Sequence, residues 1–142
     1  MKNKIIFLLI TILVVSSCNT ATSDKREIFD SGKLKVITSL YNKKQQTMSV
    51  LYGNALAFDD LISDDHKNIP GALFKFVTWK QKPNPFWFDV NGNSEVLTIE
   101  TVEITELNKA VYTKQQHSSN KNDVNDVQRI SYITGLRPAV IP

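Results

Sequence analysis

The chain has 142 residues, 42% of them hydrophobic, 22% charged and one a cysteine. This length supports one compact domain rather than two, and one cysteine excludes a fold held together by several disulfides. The formal net charge of +3 falls to +1 once the two lysines of the predicted leader are removed, so charge gives no reason to expect a nucleic-acid partner.

The first 18 residues predict a secretory leader that ends at a lipidation site. Two lysines precede an apolar run over residues 5–15, and two serines come directly before Cys18. The run is shorter than the roughly 20 residues that a membrane-spanning helix needs. A positive start, a short apolar run and small residues are the parts of a signal peptide. The end of this one resembles a bacterial lipobox, which implies cleavage before Cys18 and acylation of its sulfur.

The leader fixes the expected domain organisation. Residues 1–17 are the predicted signal peptide, 18–30 a polar tether and 31–142 the folded domain. Since lipoproteins carry several acyl chains, the membrane anchor should be stable. Asn19 is not the aspartate that retains some lipoproteins at the inner membrane, so we expect a location in the cell envelope, at the outer membrane.

The first third of the domain predicts two strands and a helix. Residues 34–41 are rich in β-branched side chains, 42–46 are turn-like and 47–52 predict the returning strand. Asn54 is placed to cap a short helix that runs through residue 62. On that helix, Asp59 and Asp60 are expected to face water.

The middle of the chain predicts the rest of a sheet. Residues 72–79 form the longest apolar run, which fits a central strand, and the prolines of 80–85 predict an irregular connection. After a predicted turn at 90–93, apolar and polar residues alternate over 94–106 and one face is more apolar. This pattern is typical of a sheet with one face exposed to solvent. Residues 110–113 predict a short further strand.

The last element is predicted to be a helix. Asn122 or Asp123 would cap it and Gly135 would end it. Its apolar residues recur at helical spacing: Val124, Val127, Ile130 and Ile133. Beyond it, Val140 and Ile141 are expected to pack back onto the sheet. Together the elements predict an α+β domain, a mainly antiparallel sheet with one or two flanking helices.

A cluster of aromatic residues is the richest candidate for a site. It supports two interpretations: the rings form the core of a small sheet domain, or they line a hydrophobic pocket with a few placed polar groups. The candidate ligand pocket comprises Lys75, Trp79, Lys80, Phe86 and Trp87. Lys75 would either reach water from the solvent-exposed face of the sheet or project into this pocket.

Metal and catalytic motifs are weak in this sequence. His66 and His117 both fall in segments that are predicted to be loops. A surface position is favoured over metal ligation for each of them. There is no G-x-S-x-G motif, no thiol beyond Cys18 and no glycine-rich phosphate loop. We therefore lean against an enzyme.

Four segments taken in series resemble the cytochrome P-460 family: 47–54, 70–81, 85–88 and 129–142. The resemblance implies a mainly antiparallel β domain with helices at its flank. Haem-bearing members of the family oxidise hydroxylamine with a c-type haem, held by a C-x-x-C-H motif and a lysine cross-link. That motif is missing here, so no cofactor is expected; the alternative is a non-covalently bound haem.

The expected function is a non-enzymatic, membrane-anchored envelope module that binds a small apolar or planar ligand or an envelope protein. One alternative is a redox protein that binds haem non-covalently, with His66 or His117 as the axial ligand. Another is a purely structural envelope lipoprotein with one stoichiometric partner.

Overall fold

The structure, a computed structural model, describes residues 26–63, 68–84, 90–116 and 125–139. The predicted signal peptide and most of the predicted tether lie outside these ranges. Several candidate site residues also lie outside them: Cys18, His66, Phe86, Trp87 and His117.

Five antiparallel strands form one sheet in which the spatial order equals the chain order. The strands are β1 (Lys35–Asn42), β2 (Thr47–Gly53), β3 (Leu73–Pro83), β4 (Asn91–Ile104) and β5 (Ala110–Gln116). Two helices accompany them, α1 (Ala55–Ile62) and α2 (Asp126–Thr134). The predicted α+β class is confirmed, with β3 at the centre of the sheet as its apolar run indicates. No helix within the described ranges is long and apolar enough to cross a membrane.

Asn54 begins α1 as predicted and also fixes the helix to the sheet. Its Oδ1 accepts a hydrogen bond from the amide of Ala57 at 2.9 Å, which satisfies a free donor of the first turn. The same oxygen accepts from the Leu73 amide at 3.2 Å, and Nδ2 donates to the Gly71 carbonyl at 2.8 Å. One side chain therefore both caps the helix and holds the start of β3.

The main core lies on the face of the sheet that the two helices cover, called the helix face below. Its buried apolar side chains come from four of the strands, both helices and one turn: Ile37, Leu51, Ala57, Leu61, Ala72, Phe74, Phe76, Val102, Ile104 and Ile133. Gly53 allows the close packing, because a Cβ there would lie 2.5 Å from Ile37 Cδ1 and 2.8 Å from Ala57 Cβ.

The opposite face of the sheet carries a second apolar cluster. The prediction that one face is exposed to solvent is therefore wrong where this cluster lies. Its buried members are Val50, Val77, Trp79 and Val96, and Phe29 packs against them. The N-terminal segment, residues 26–30, lies across this face. The Glu27 amide donates to the Ser94 carbonyl at 2.8 Å, and the carboxylate accepts from the Val96 amide at 2.9 Å. Residues 26–30, which fall within the predicted tether, are thus bonded to the sheet.

A register shift explains why Val96 lies on this second face. Thr78 pairs with Thr98, but Trp79 pairs with Val96, so Leu97 has no partner on β3. An extra residue in one strand reverses the faces of the residues beyond it. Strict alternation along residues 94–106 would place Val96 on the same face as Thr98 and Val102, and the shift separates them.

The connection between β3 and β4 also differs from its prediction. The strands continue to pair as far as Pro83 with Asn91, so β3 extends into the segment predicted to be irregular and β4 begins within the predicted turn. Pro83 has no amide to donate, and the bonding resumes at the next residue, where the Asn84 amide donates to the Val90 carbonyl at 2.7 Å.

Asp60 is buried, with 1% of its surface exposed, whereas the sequence predicts that it faces water. Its carboxylate accepts a hydrogen bond from the Ile69 amide at 3.2 Å, which links α1 to the residues just before β3. Asp59 is exposed, as predicted. The difference arises because the partner of Asp60 lies in another segment and leaves no local pattern.

The second helix begins later than predicted. Asn125 caps it by accepting from the Val127 amide at 3.0 Å, so neither Asn122 nor Asp123 is the cap. Val127 is 69% exposed, contrary to its predicted core position, while Ile133 is fully buried. Gly135 follows the helix at the C-cap, as predicted.

The segment after α2 returns to the edge of the sheet. The Ala139 amide donates to the Ile37 carbonyl at 3.0 Å, at the point where Ile37 has no partner in β2. The next two residues, Val140 and Ile141, whose packing on the sheet was predicted, lie outside the described residues.

Candidate functional site

The helix face divides into an apolar half and a polar half. Beyond Leu51 on β2 and Phe76 on β3, the next residues on this face are Ser49 and Thr78, which lie opposite each other in the register. Their hydroxyl oxygens are 2.9 Å apart and hydrogen-bonded. Because strand side chains alternate, this replacement of apolar side chains by hydroxyls leaves a polar floor beside the main core.

A cleft of about 500 Å³ lies over this polar floor. One side is formed by β1 and the β1–β2 turn, and the other by two residues of α2, Arg129 and Tyr132. The complete lining is Leu40, Tyr41, Asn42, Lys43, Gln45, Thr47, Ser49, Phe76, Thr78, Arg129 and Tyr132. The size is within the usual range for sites that bind small molecules.

Arg129 is held in place by a buried carboxylate. Its Nε donates to Glu100 Oε1 at 2.8 Å and its Nη2 donates to Oε2 at 2.5 Å. The Glu100 side chain is only 5% exposed, and it also accepts from the Tyr112 hydroxyl at 2.6 Å. A bidentate pair of this kind fixes the orientation of the guanidinium as well as its position.

Two aromatic rings complete the surroundings of the guanidinium. Its central carbon lies 5.0 Å from the centroid of the Tyr132 ring and 5.7 Å from that of Phe76. The two rings meet edge to face at 6.0 Å. The distances from the guanidinium to the two rings are within the range of cation–π contacts, so the rings add to the contacts that hold Arg129 in place.

This cluster shifts the pKa values of two of its members. The hydrogen bonds to Glu100 raise the pKa of Arg129 above its usual range, so the guanidinium stays charged. Burial, followed by the hydrogen bond to Glu100, raises the pKa of the Tyr112 phenol well above its usual value. Tyr112 therefore acts as a neutral donor to a carboxylate whose charge Arg129 balances.

The Tyr112 phenol should make the protein less stable in alkali. Because its pKa is higher in the folded than in the unfolded state, the folded protein keeps the proton while the unfolded phenol ionises from about pH 10. The free energy of unfolding should therefore fall as the pH rises through 10. We expect Tyr112→Phe to reduce this slope, measured by chemical denaturation between pH 8 and 11. An unchanged slope would contradict the role of Tyr112.

Three members of the sequence-predicted pocket lie within the described residues. Lys75 and Trp79 share the opposite face of β3, where Lys75 Nζ lies 5.9 Å from the Phe29 ring centroid. Trp79 is 4% exposed and its Nε1 donates to the Glu27 carbonyl at 3.3 Å. Lys80 is exposed and lies 3.4 Å from Glu95. The structure thus brings Lys75 and Trp79 together around Phe29, apart from the cleft.

The remaining candidates, Phe86, Trp87, His66 and His117, lie outside the described residues, and so does Cys18. Within the described ranges, no group of three histidine, cysteine or acidic side chains could hold a metal ion.

Sequence reasoning missed the residues that form the cleft. Glu100 gives one sequence signal for the site. The alternation of residues 94–106 places it on the same face of the strand as Val102 and Ile104. A carboxylate on an apolar face needs a charged partner, and Arg129 falls one turn before buried Ile133. The basic partner of Glu100 depends on how α2 crosses the sheet. Local sequence pattern does not predict this crossing.

No protein-family profile matches the chain, and no curated protein matches it in sequence.

Proposed function

We propose that the protein is a membrane-anchored lipoprotein of the cell envelope whose domain binds a small molecule in the cleft between α2 and the first three strands. The observation that carries this proposal is the fixed guanidinium of Arg129 at the wall of a polar cleft of about 500 Å³. A concave site with a few rigid polar groups is the usual form of a small-molecule site.

The polar character of the cleft supports binding over simple packing. A buried ion pair adds little stability compared with apolar side chains of the same size. Apolar side chains fill the other half of the helix face, so apolar packing alone is sufficient to cover this sheet. Glu100, Arg129 and the Ser49–Thr78 hydroxyl pair keep the second half polar, which suits a site that recognises a ligand.

The lining supports binding rather than catalysis. Three aliphatic hydroxyl groups line the cleft, those of Thr47, Ser49 and Thr78, and nucleophilic use of any of them would need a base within hydrogen-bond reach. The described lining residues include neither a histidine nor a carboxylate. We propose that the domain shares its type of fold with the cytochrome P-460 family and carries no covalent haem.

The lipid anchor would hold this domain close to the membrane. Residues 19–25 separate Cys18 from Arg26, where the described N-terminal segment begins. An extended chain covers at most about 3.5 Å per residue, so the bonded segment would lie within roughly 30 Å of the acylated sulfur. The domain as a whole would thereby stay close to the bilayer surface.

Replacing Cys18 by serine should release the protein from the membrane. Without the sulfur no acyl chain can be attached at residue 18. The expected result is loss of labelled palmitate from the protein and its absence from washed membranes. Palmitate that stays attached to the Cys18→Ser variant would refute the anchor.

Filling the cleft should remove its ligand. Thr78→Phe places a ring over the floor, whereas Thr101→Phe changes another half-buried threonine of the same sheet that does not line the cleft. We expect native mass spectrometry of protein purified from envelopes to find a small bound molecule on the wild type and on Thr101→Phe, but not on Thr78→Phe. Equal occupancy of all three proteins, or none in any, would contradict the proposal.

A further inference from the structure

We infer that the ligand of the cleft is a small planar organic anion with a single oxyanion group, such as a carboxylate on an aromatic or unsaturated body. The inference rests on the proposed function of the same cleft and adds the chemical class of its ligand.

The charges around the cleft favour an anion. Two cationic side chains, Lys43 and Arg129, line it, and none of the described lining residues is acidic. Glu100 engages Nε and Nη2 of Arg129. A guanidinium has five N–H groups, so three remain that Glu100 does not use. On the α2 side of the cleft, the N–H donors of Arg129 therefore outnumber the carboxylate oxygens that accept from them.

The same charges limit the ligand to about one negative charge. Glu100 balances Arg129, so the excess positive charge of the site comes from Lys43 alone. A polyanion such as a phosphorylated sugar would leave several charges unmatched, whereas one carboxylate can accept from the guanidinium in the planar geometry that arginine prefers.

The walls favour a flat body on that anion. Tyr132 is 46% exposed beside the cleft, and its ring already lies against the guanidinium of Arg129. Leu40 provides an apolar surface on the β1 side. A flat unsaturated group can lie on the exposed part of the tyrosine ring while its oxyanion approaches Arg129.

Three aromatic probes of similar size and different charge test the inference: benzoate, benzamide and benzylamine. Each is titrated into the purified protein while the backbone amides of Ser49, Thr78 and Arg129 are followed by NMR. We expect benzoate to bind at least about twofold to fivefold more tightly than benzamide, since exposed ion pairs are worth that much. Benzylamine should bind least.

Two neighbouring turn lysines provide a matched pair of variants. Lys43 lines the cleft and Lys44 does not, although both are exposed. Lys43→Gln should weaken benzoate by about twofold to fivefold without changing benzamide, and Lys44→Gln should change neither.

The outcomes separate this inference from the proposed function. Equal affinity for the three probes, a preference for benzylamine, or no response of the three amides to any probe would overturn the anionic ligand. The mass-spectrometric comparison of Thr78→Phe with Thr101→Phe does not depend on these probes. It would still find a ligand of another class if the cleft binds one.

Discussion

Replacing Trp79 by alanine should destabilise the protein by about 3–5 kcal/mol, the usual cost of removing a large buried ring. Trp79 is 4% exposed between Val50, Val77 and Val96, and Phe29 meets it edge to face at 6.5 Å. The cavity left behind would lie between the sheet and the N-terminal segment, where few side chains can collapse into it. Chemical denaturation of the wild type and the variant measures the difference.

The same substitution should also loosen the N-terminal segment. Trp79 Nε1 donates to the Glu27 carbonyl, and Glu27 in turn accepts from the Val96 amide. Hydrogen exchange at Val96 should therefore accelerate in Trp79→Ala beyond the change expected from global destabilisation. If instead the variant lost less than about 1 kcal/mol, Trp79 would not be a core residue and its interpretation as a ligand-pocket residue would regain support.

Replacing Arg129 by alanine should destabilise the protein by about 3 kcal/mol, because it leaves Glu100 charged and buried without its partner. The Glu100 side chain is 5% exposed, and Tyr112 alone would continue to donate to it. The variant also loses the contacts of the guanidinium with Phe76 and Tyr132. Urea denaturation at neutral pH measures the loss.

The second ion pair provides the control for Arg129→Ala. Lys80 and Glu95 lie 3.4 Å apart with 51% and 55% of their side chains exposed. Lys80→Ala should cost less than about 1 kcal/mol, because water screens exposed pairs. Equal effects of the two alanine variants would show that Glu100 is not dependent on Arg129 for its place in the fold.

The strands and the helix caps near Asn54 and Gly135 could be predicted because they depend on local chemistry. β-Branched alternation predicts strands, a side-chain acceptor predicts the start of a helix, and glycine predicts its end. Two of the errors concern non-local partners. Asp60 is buried because Ile69 donates to it, and Val96 changes face because Leu97 has no partner in β3.

The cleft was not predicted from the sequence, where only Glu100 on an apolar face gives a signal for it. Its individual residues are unremarkable in sequence: two hydroxyls on neighbouring strands, a glutamate in β4 and an arginine in α2. They become a site because β2 and β3 align Ser49 with Thr78 and because α2 places Arg129 over Glu100, 29 residues away along the chain. The aromatic cluster gave the stronger sequence signal, and within it Trp79 is placed in the core of the opposite face.

The most direct test of the account is to map by NMR where a ligand binds. Small molecules extracted from cell envelopes are added to the isotope-labelled protein, and amide shifts are recorded along the chain. We predict that the shifts concentrate at Ser49, Thr78 and Arg129 around the cleft. Shifts that concentrate instead at Lys75, Trp79 and Lys80, or an absence of shifts with every extract, would contradict the assignment of the cleft as the binding site.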